Sequence, residues 1–264
     1  MQATQFVQYL CFCFDGPIMK NVSSTRDIIE SALKQNLVDD DKNPVRVLLL
    51  PGLSKEDLDD LSRSLPVTLP GDICELLEFC SGIEGTLEQI DFSGRTLRDG
   101  FGSDFVPHGL PIAHDGFGNY WAVDLQPDKN DWGPIYFCCH DAPVMLLQAA
   151  TVQQFVSEVF KMYIPPHRSL ITDVHEDRLF DVWTRNPGVI AHVNAIASAD
   201  RDIQTFAAAL ESDFEIVDLR NAPVGMGFSW GRYGPRTEVK RFGPKPIFAY
   251  RRPAKKSLVS RLFG

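Results

Sequence analysis

The sequence predicts a two-part α+β protein, and three observations carry that reading. Capped helical patterns fill the stretch from Ser24 to Cys80. From Ile90 to Tyr136 the apolar period shortens toward two, as in an antiparallel sheet. After Pro165-Pro166 a fresh set of helix and strand patterns begins and runs to Tyr250.

Each element has a local reason. Phe6 to Phe14 is an apolar run with no Lys or Arg before it, so it reads as a buried strand and not as an export leader. Ser24-Thr25-Arg26-Asp27 has capping-box form, and Ile28, Ile29, Ala32 and Leu33 follow at helical spacing. Asp39-Asp40-Asp41-Lys42-Asn43-Pro44 breaks that helix. Val45 to Leu50 is a short core strand, closed by Pro51-Gly52. Ser54 caps a second helix with Leu58, Leu61 and Leu65 on one face. Pro70 suits the first turn of a third, whose stripe is Ile73, Leu76, Leu77 and Cys80 and whose end is set by Gly82 and Gly85. Turns are expected at Ser93-Gly94, Asp99-Gly100 and Gly116 to Asn119. Gly133 to Asp141 is a strand leading to a helix from Thr151 to Tyr163, with Val152, Phe155, Val156 and Val159 facing the core. Beyond it, a helix through Val193 and Ile196, a helix capped by Asp200, a strand from Phe214 to Leu219 and short strands between Gly225 and Tyr250 make a smaller unit. The expected parts are residues 1–168, residues 169–252 and a basic tail, 253–264.

The chain has 264 residues, enough for an ample core. With 44% hydrophobic and 23% charged residues it falls among soluble globular proteins, and no apolar run approaches the ~20 residues of a membrane span. The expectation is a cytoplasmic protein. Its six cysteines (Cys11, Cys13, Cys74, Cys80, Cys138 and Cys139) include no Cys-x-x-Cys pair, and they read as reduced core thiols without a metal. Cys138 and Cys139, adjacent on a strand, point to opposite faces. The net charge of −9 is uneven: from Arg232 onward there are ten basic residues and one acidic, while the 231 residues before carry a net −18. Such a body repels nucleic acid and attracts basic partners.

Three segments occur in order: Leu69 to Gly82; the hairpin Pro111-Ile112-Ala113-His114-Asp115-Gly116-Phe117-Gly118-Asn119 with Tyr120 to Leu125; and Gly133-Pro134-Ile135-Tyr136-Phe137. Together they resemble the Smi/Knr-type branch of the SUKH superfamily over roughly residues 45–162. The resemblance implies a curved antiparallel sheet flanked by helices, and a role in binding other proteins rather than in catalysis. Bacterial relatives of this kind are immunity proteins that neutralise a cognate toxin; fungal ones regulate cell-wall synthesis and act as signalling scaffolds. Cys80-Ser81-Gly82 stands where that family often has Asn-Gly.

Catalytic readings find little support. His114-Asp115 and His140-Asp141 sit at turns beside strands, where neighbours face opposite ways, and lack further ligands at metal-site spacing. Cys80, Cys138 and Cys139 with His114 or His140 would make a nucleophile pair only if brought together, and a thiol among β-rich apolar residues is ordinarily a small core hydrophobe. No phosphate-binding glycine loop and no Gly-x-Ser-x-Gly elbow is present. The expectation is therefore no catalytic residue, no cofactor and no small-molecule substrate.

Binding residues are expected among the sheet-region carboxylates Asp91, Asp99, Asp104, Asp115, Asp124, Asp128 and Asp131, with Tyr120 or Trp121 presented between them. Such an acidic face would speed association with a basic toxin domain and select it. Lys255, Lys256, Leu258, Leu262 and Phe263 form a second candidate, an amphipathic basic tail that could dock on the acidic body or a partner groove; membrane anchoring by so short a helix is not expected. The reading is a non-enzymatic protein that blocks a toxin by covering its active site. A scaffold without a toxin is the alternative, and an uncharacterised hydrolase the third.

Overall fold

The computed structural model describes residues 23–97, 106–234 and 236–253. Several expectations lie outside these: the strand at Phe6–Phe14, Cys11 and Cys13, the turn at Asp99-Gly100, the candidates Asp99 and Asp104, and the tail residues Lys255, Lys256, Leu258, Leu262 and Phe263.

Helix α1 (Thr25–Leu33) opens on a complete capping box. The Ser24 hydroxyl accepts from the Asp27 N–H, and the Asp27 carboxylate accepts from the Ser24 N–H. Strand β1 (Leu48–Pro51) begins three residues later than the run from Val45 suggested. Helix α2 (Lys55–Ser64) is capped by Ser54 and buries Leu58 and Leu61. Helix α3 (Gly71–Phe79) buries Ile73, Leu76 and Leu77, with Pro70 one position before its first turn. It then passes directly into strand β2 (Cys80–Glu84). Cys80-Ser81-Gly82 is thus strand and not the glycine turn expected. Gly82 is needed there because a Cβ would collide with the Ile90 carbonyl of the next strand, whereas Gly85, at φ +83°, makes the turn.

The main sheet continues through β3 (Gln89–Asp91), β4 (Gly109–His114), β5 (Tyr120–Gln126), β6 (Asp131–Cys139) and β7 (Val144–Ala149), each antiparallel to the last. Helix α4 (Val152–Lys161), capped by Thr151, covers one face with Val152, Phe155, Val156 and Val159, and α1 packs on it. Strand β7 escaped the sequence reading, and its burial explains why. All six residues are buried, so no polar alternation marks it.

Residues after 168 complete both the first core and a second sheet. Helix α5 (Leu170–Thr172), a π-helical segment (Asp173–Arg178) and α6 (Leu179–Arg185) bury Ile171, Val174, Leu179 and Val182 in the first core. Strand β8 (Val189–Ala191) leads into α7 (His192–Ile196), and α8 (Arg201–Ala208) is capped by Asp200 as expected. The remaining strands are β9 (Phe214–Asp218), β10 (Gly227–Phe228), β11 (Val239–Arg241) and β12 (Ile247–Arg251). Strand β10 pairs with β7 and closes the order β1-β2-β3-β4-β5-β6-β7-β10; the second sheet runs β11-β12-β9-β8.

The two sheets pack face to face. Alternate residues of β6 and β7 divide between two cores: Ile135, Phe137, Val144 and Leu146 face the helices, while Tyr136, Met145 and Leu147 meet Val217, Phe248 and Tyr250 of the second sheet. The far side of the second sheet packs Ile216 and Ala249 on Ile203, Phe206 and Ala207 of α8.

Candidate binding surfaces

The expected acidic face is largely used up inside the fold. Asp91 is buried and accepts from the N–H and hydroxyl of both Ser93 and Thr96, fixing the turn after β3. Asp124 has no exposed surface. It lies on the β5 face that the second sheet covers, where Arg241 grips both its oxygens at 2.8 and 2.7 Å. Trp121 is core, its indole N–H donating to Gln148 Oε1 at 3.0 Å, while Tyr120 stays half-buried. These are corrections. Period two told the faces of β5 apart, but a carboxylate on the outer face meets solvent only while nothing covers that face. Of the five expected carboxylates among the described residues, Asp128 and Asp131 are exposed, in and beside the β5–β6 turn.

Asp115 builds the tip of the β4–β5 hairpin. One carboxylate oxygen accepts from the Phe117 N–H at 2.9 Å and the Asn119 N–H at 3.2 Å; the other accepts from the Asn119 side chain at 2.5 Å. Asn119 Oδ1 in turn accepts from the His140 N–H at 3.1 Å, and His114 Nδ1 accepts from the Gly116 N–H at 3.0 Å. Gly116 and Gly118 take φ of +77° and +92°, and a Cβ on Gly118 would stand 2.8 Å from the His140 ring. Asp115 holds the Phe117 backbone, yet the residue as a whole is 79% exposed. Glu84, Glu88 and Asp141 stand exposed around the tip, Glu88 against Gly116 and Asp141 3.2 Å from His140. Sequence reasoning took the hairpin as a turn and passed over Phe117; a bulky aromatic between two turn glycines was the clue.

A cleft of about 860 Å3 opens where the two sheets meet. The start of α3 and the β5–β6 turn form one wall, with Asp72, Asp128, Lys129 and Asp131. Trp132, Leu147 and Val152 line it between the walls, and Asp202, Arg220 and Lys245 belong to the second sheet's side. Arg220 is held by Asp200, Asp202 and Asp218 at 2.7 to 2.8 Å, and Lys245 by Asp202 at 2.6 Å. Hydrogen bonding to Asp218 raises the Arg220 pKa further, against the opposing effect of its partial burial.

The thiols are poorly placed for nucleophilic chemistry. Burial pushes Cys80 up to about 11 and Cys138 up to about 12, so neither is a thiolate near neutrality. Cys139 is raised by burial as well. His114 bonds to Gln89 and Gly116, and His140 pairs with Asp141, not with a thiol. Among the described residues, no group of three or more His, Cys, Asp or Glu is placed to hold a metal ion. No described helix is long and apolar enough to cross a membrane.

Comparison with known proteins assigns part of this architecture. Residues 52–158 match the SMI1/KNR4 family (SUKH-1). The match runs from just before α2 into α4 and takes in the whole β4–β5 hairpin; the second sheet lies outside it. No curated protein matches the chain.

Proposed function

We propose, from the SMI1/KNR4-type domain at residues 52–158, that this chain works by binding another protein, and that the partner is a basic toxin domain whose active site it covers. The observation that carries the reading is the β4–β5 hairpin tip. A loop fixed by the Asp115 and Asn119 hydrogen bonds presents one aromatic ring, Phe117, to solvent. The turn needs Asp115, Asn119 and the two glycines, but nothing in its geometry needs a phenyl ring. Exposed aromatics on rigid supports are what protein interfaces use as anchors, because little conformational freedom is lost on docking. The exposed Glu84, Glu88 and Asp141 around the tip favour a basic rim on the partner. Occlusion asks for no catalytic residue and no cofactor in this chain.

Immunity genes of this type stand next to the toxin they answer, so the adjacent gene product is the probe. The wild-type chain should restore growth to cells expressing it and form a complex with it in vitro. Phe117→Ser should leave the thermal midpoint unchanged, since the ring touches solvent, while weakening the complex by about 2 kcal/mol or more. Failure of the wild-type chain to bind or rescue would overturn the toxin reading; equal binding by Phe117→Ser would remove the hairpin as the contact.

A further inference from the structure

The hairpin tip that presents Phe117 is fastened through a histidine. The Gly116 main-chain N–H can only donate, so the His114 Nδ1 that accepts it at 3.0 Å carries no proton. The one proton of the neutral ring then sits on Nε2, which faces Gln89 Oε1 at 3.3 Å. A second proton has a single place to go, Nδ1, where it meets the Gly116 N–H head-on. We propose that His114 is an acid-sensitive latch: its protonation breaks the bond to Gly116, loosens the tip and releases the partner. The release rests on the hairpin-contact reading above; the latch does not.

Position gives the latch its leverage. Asp115 fastens the loop by accepting from the Phe117 and Asn119 N–H groups, and His114 fastens it one residue earlier. With His114 released, Gly116 at φ +77° stands next to the exposed aromatic as the least constrained residue type. An anchor that must be reordered on docking binds less tightly. Histidine is the side chain that ordinarily changes charge between about pH 5 and 8, above the usual carboxylate range.

The surroundings suit a ring that lets go. Glu84 and Glu88 share a hollow of about 360 Å3 with Gln89 and His114, so a charged imidazolium has carboxylates to turn to. Asp115 adjoins it in the chain, and the Tyr120 ring of β5 lies 6.3 Å away. His140 and His175 flank the tip and act differently. Each turns Nε2 to a carboxylate, Asp141 at 3.2 Å and Asp115 at 3.8 Å, so added charge strengthens a contact already made. All three imidazoliums would oppose a basic partner.

The test follows the Gly116 amide by NMR in the full chain, free and then with the adjacent gene product, at about pH 7.5 and about pH 5.5. In the free wild-type chain its exchange, corrected for the intrinsic rate, should rise about fivefold at the lower pH, the weight of one hydrogen bond. His114→Asn should abolish that rise, because Asn can accept from the N–H two residues on without titrating. His140→Gln/His175→Gln should keep it. No rise in the wild type, an equal rise in His114→Asn, or its loss in the His140/His175 double variant would each overturn the latch. The wild-type complex should weaken at least fivefold at the lower pH, and the His114→Asn complex by less; equal weakening of both would overturn release through His114. A free chain whose Gly116 responds as expected, but which binds the gene product at neither pH, supports the latch and removes the toxin reading alone.

Discussion

The two sheets of this protein are held by different physics. The eight-stranded sheet rests on a broad apolar layer in which α1, α3 and α4 cover Ile83, Trp121, Ile135, Phe137 and Leu146. Among the described residues the four-stranded sheet has α7 and α8 behind it, with a smaller cluster around Phe206, Phe214 and Ile216. It adds three arginine hubs. Arg220 gathers Asp200, Asp202 and Asp218; Arg251 gathers Glu211, Asp213 and Glu238 and lies over the Phe214 ring; Arg241 reaches across to Asp124. Apolar packing tolerates small shifts of register, whereas a two-pronged guanidinium contact does not. A small sheet with little apolar area can thus still be held in one position against a large one.

Two substitutions should produce the largest effects, one in each kind of contact. Phe155→Ala empties a site with no exposure beneath the main sheet and should cost about 3–5 kcal/mol in urea unfolding. Asp124→Ala leaves the Arg241 guanidinium, 9% exposed, without its partner and should cost a similar ~3–5 kcal/mol. The comparison sharpens when Asp124→Leu is combined with Arg241→Met. With both charges gone the loss should shrink to a fraction of the single-variant cost, because no buried charge is stranded. A double variant as unstable as Asp124→Ala would show that shape, not charge pairing, holds the sheets together.

A smaller effect should appear in acid. Hydrogen bonds from Arg220 hold Asp200 below its ordinary value of 3.8, and those from Arg251 and Lys240 hold Glu211 and Glu238 below 4.5. A carboxylate depressed in the folded state stabilises it above the ordinary range, and that contribution is lost as pH falls through the depressed value. Hydrogen exchange should therefore show β9 and β12 losing protection below about pH 4, before β5 and β6 do. The main sheet's side has such carboxylates too, but Asp27 and Asp39 are held chiefly by the neighbouring Ser24 and Asn43, and Asp57 by Ser54 and Arg95, none of them on β5 or β6. Simultaneous loss in both sheets would break the distinction drawn between them.

Much of the local structure was legible. Ser24, Ser54, Thr151 and Asp200 cap helices as their positions foretold, because a cap is a contact between residues two or three apart. The turn chemistry of Gly116 to Asn119 marked the β4–β5 hairpin for the same reason. The α+β class followed from these pieces, and residues 52–158 match the family their order suggested. Strand β7 was not legible, since burial on both faces erases alternation, nor were the helices between Leu170 and Arg185, which carry no strong cap pattern.

The candidate site was misjudged for two reasons, one local and one distant. Asp128 and Asp131 remain exposed, as expected of them, but Asp91 and Asp115 went to their own turns and Asp124 to an arginine 117 residues away. By itself, the sequence determined caps, faces and turns, because each depends on a few neighbours and the fixed periods of helix and strand. Only the tertiary structure decided which outer faces stay wet, where the cleft opens and that Asp124 is spent on Arg241. Those outcomes depend on the second sheet settling over β5, β6 and β7, and residues far apart in the chain leave no periodic mark of their meeting.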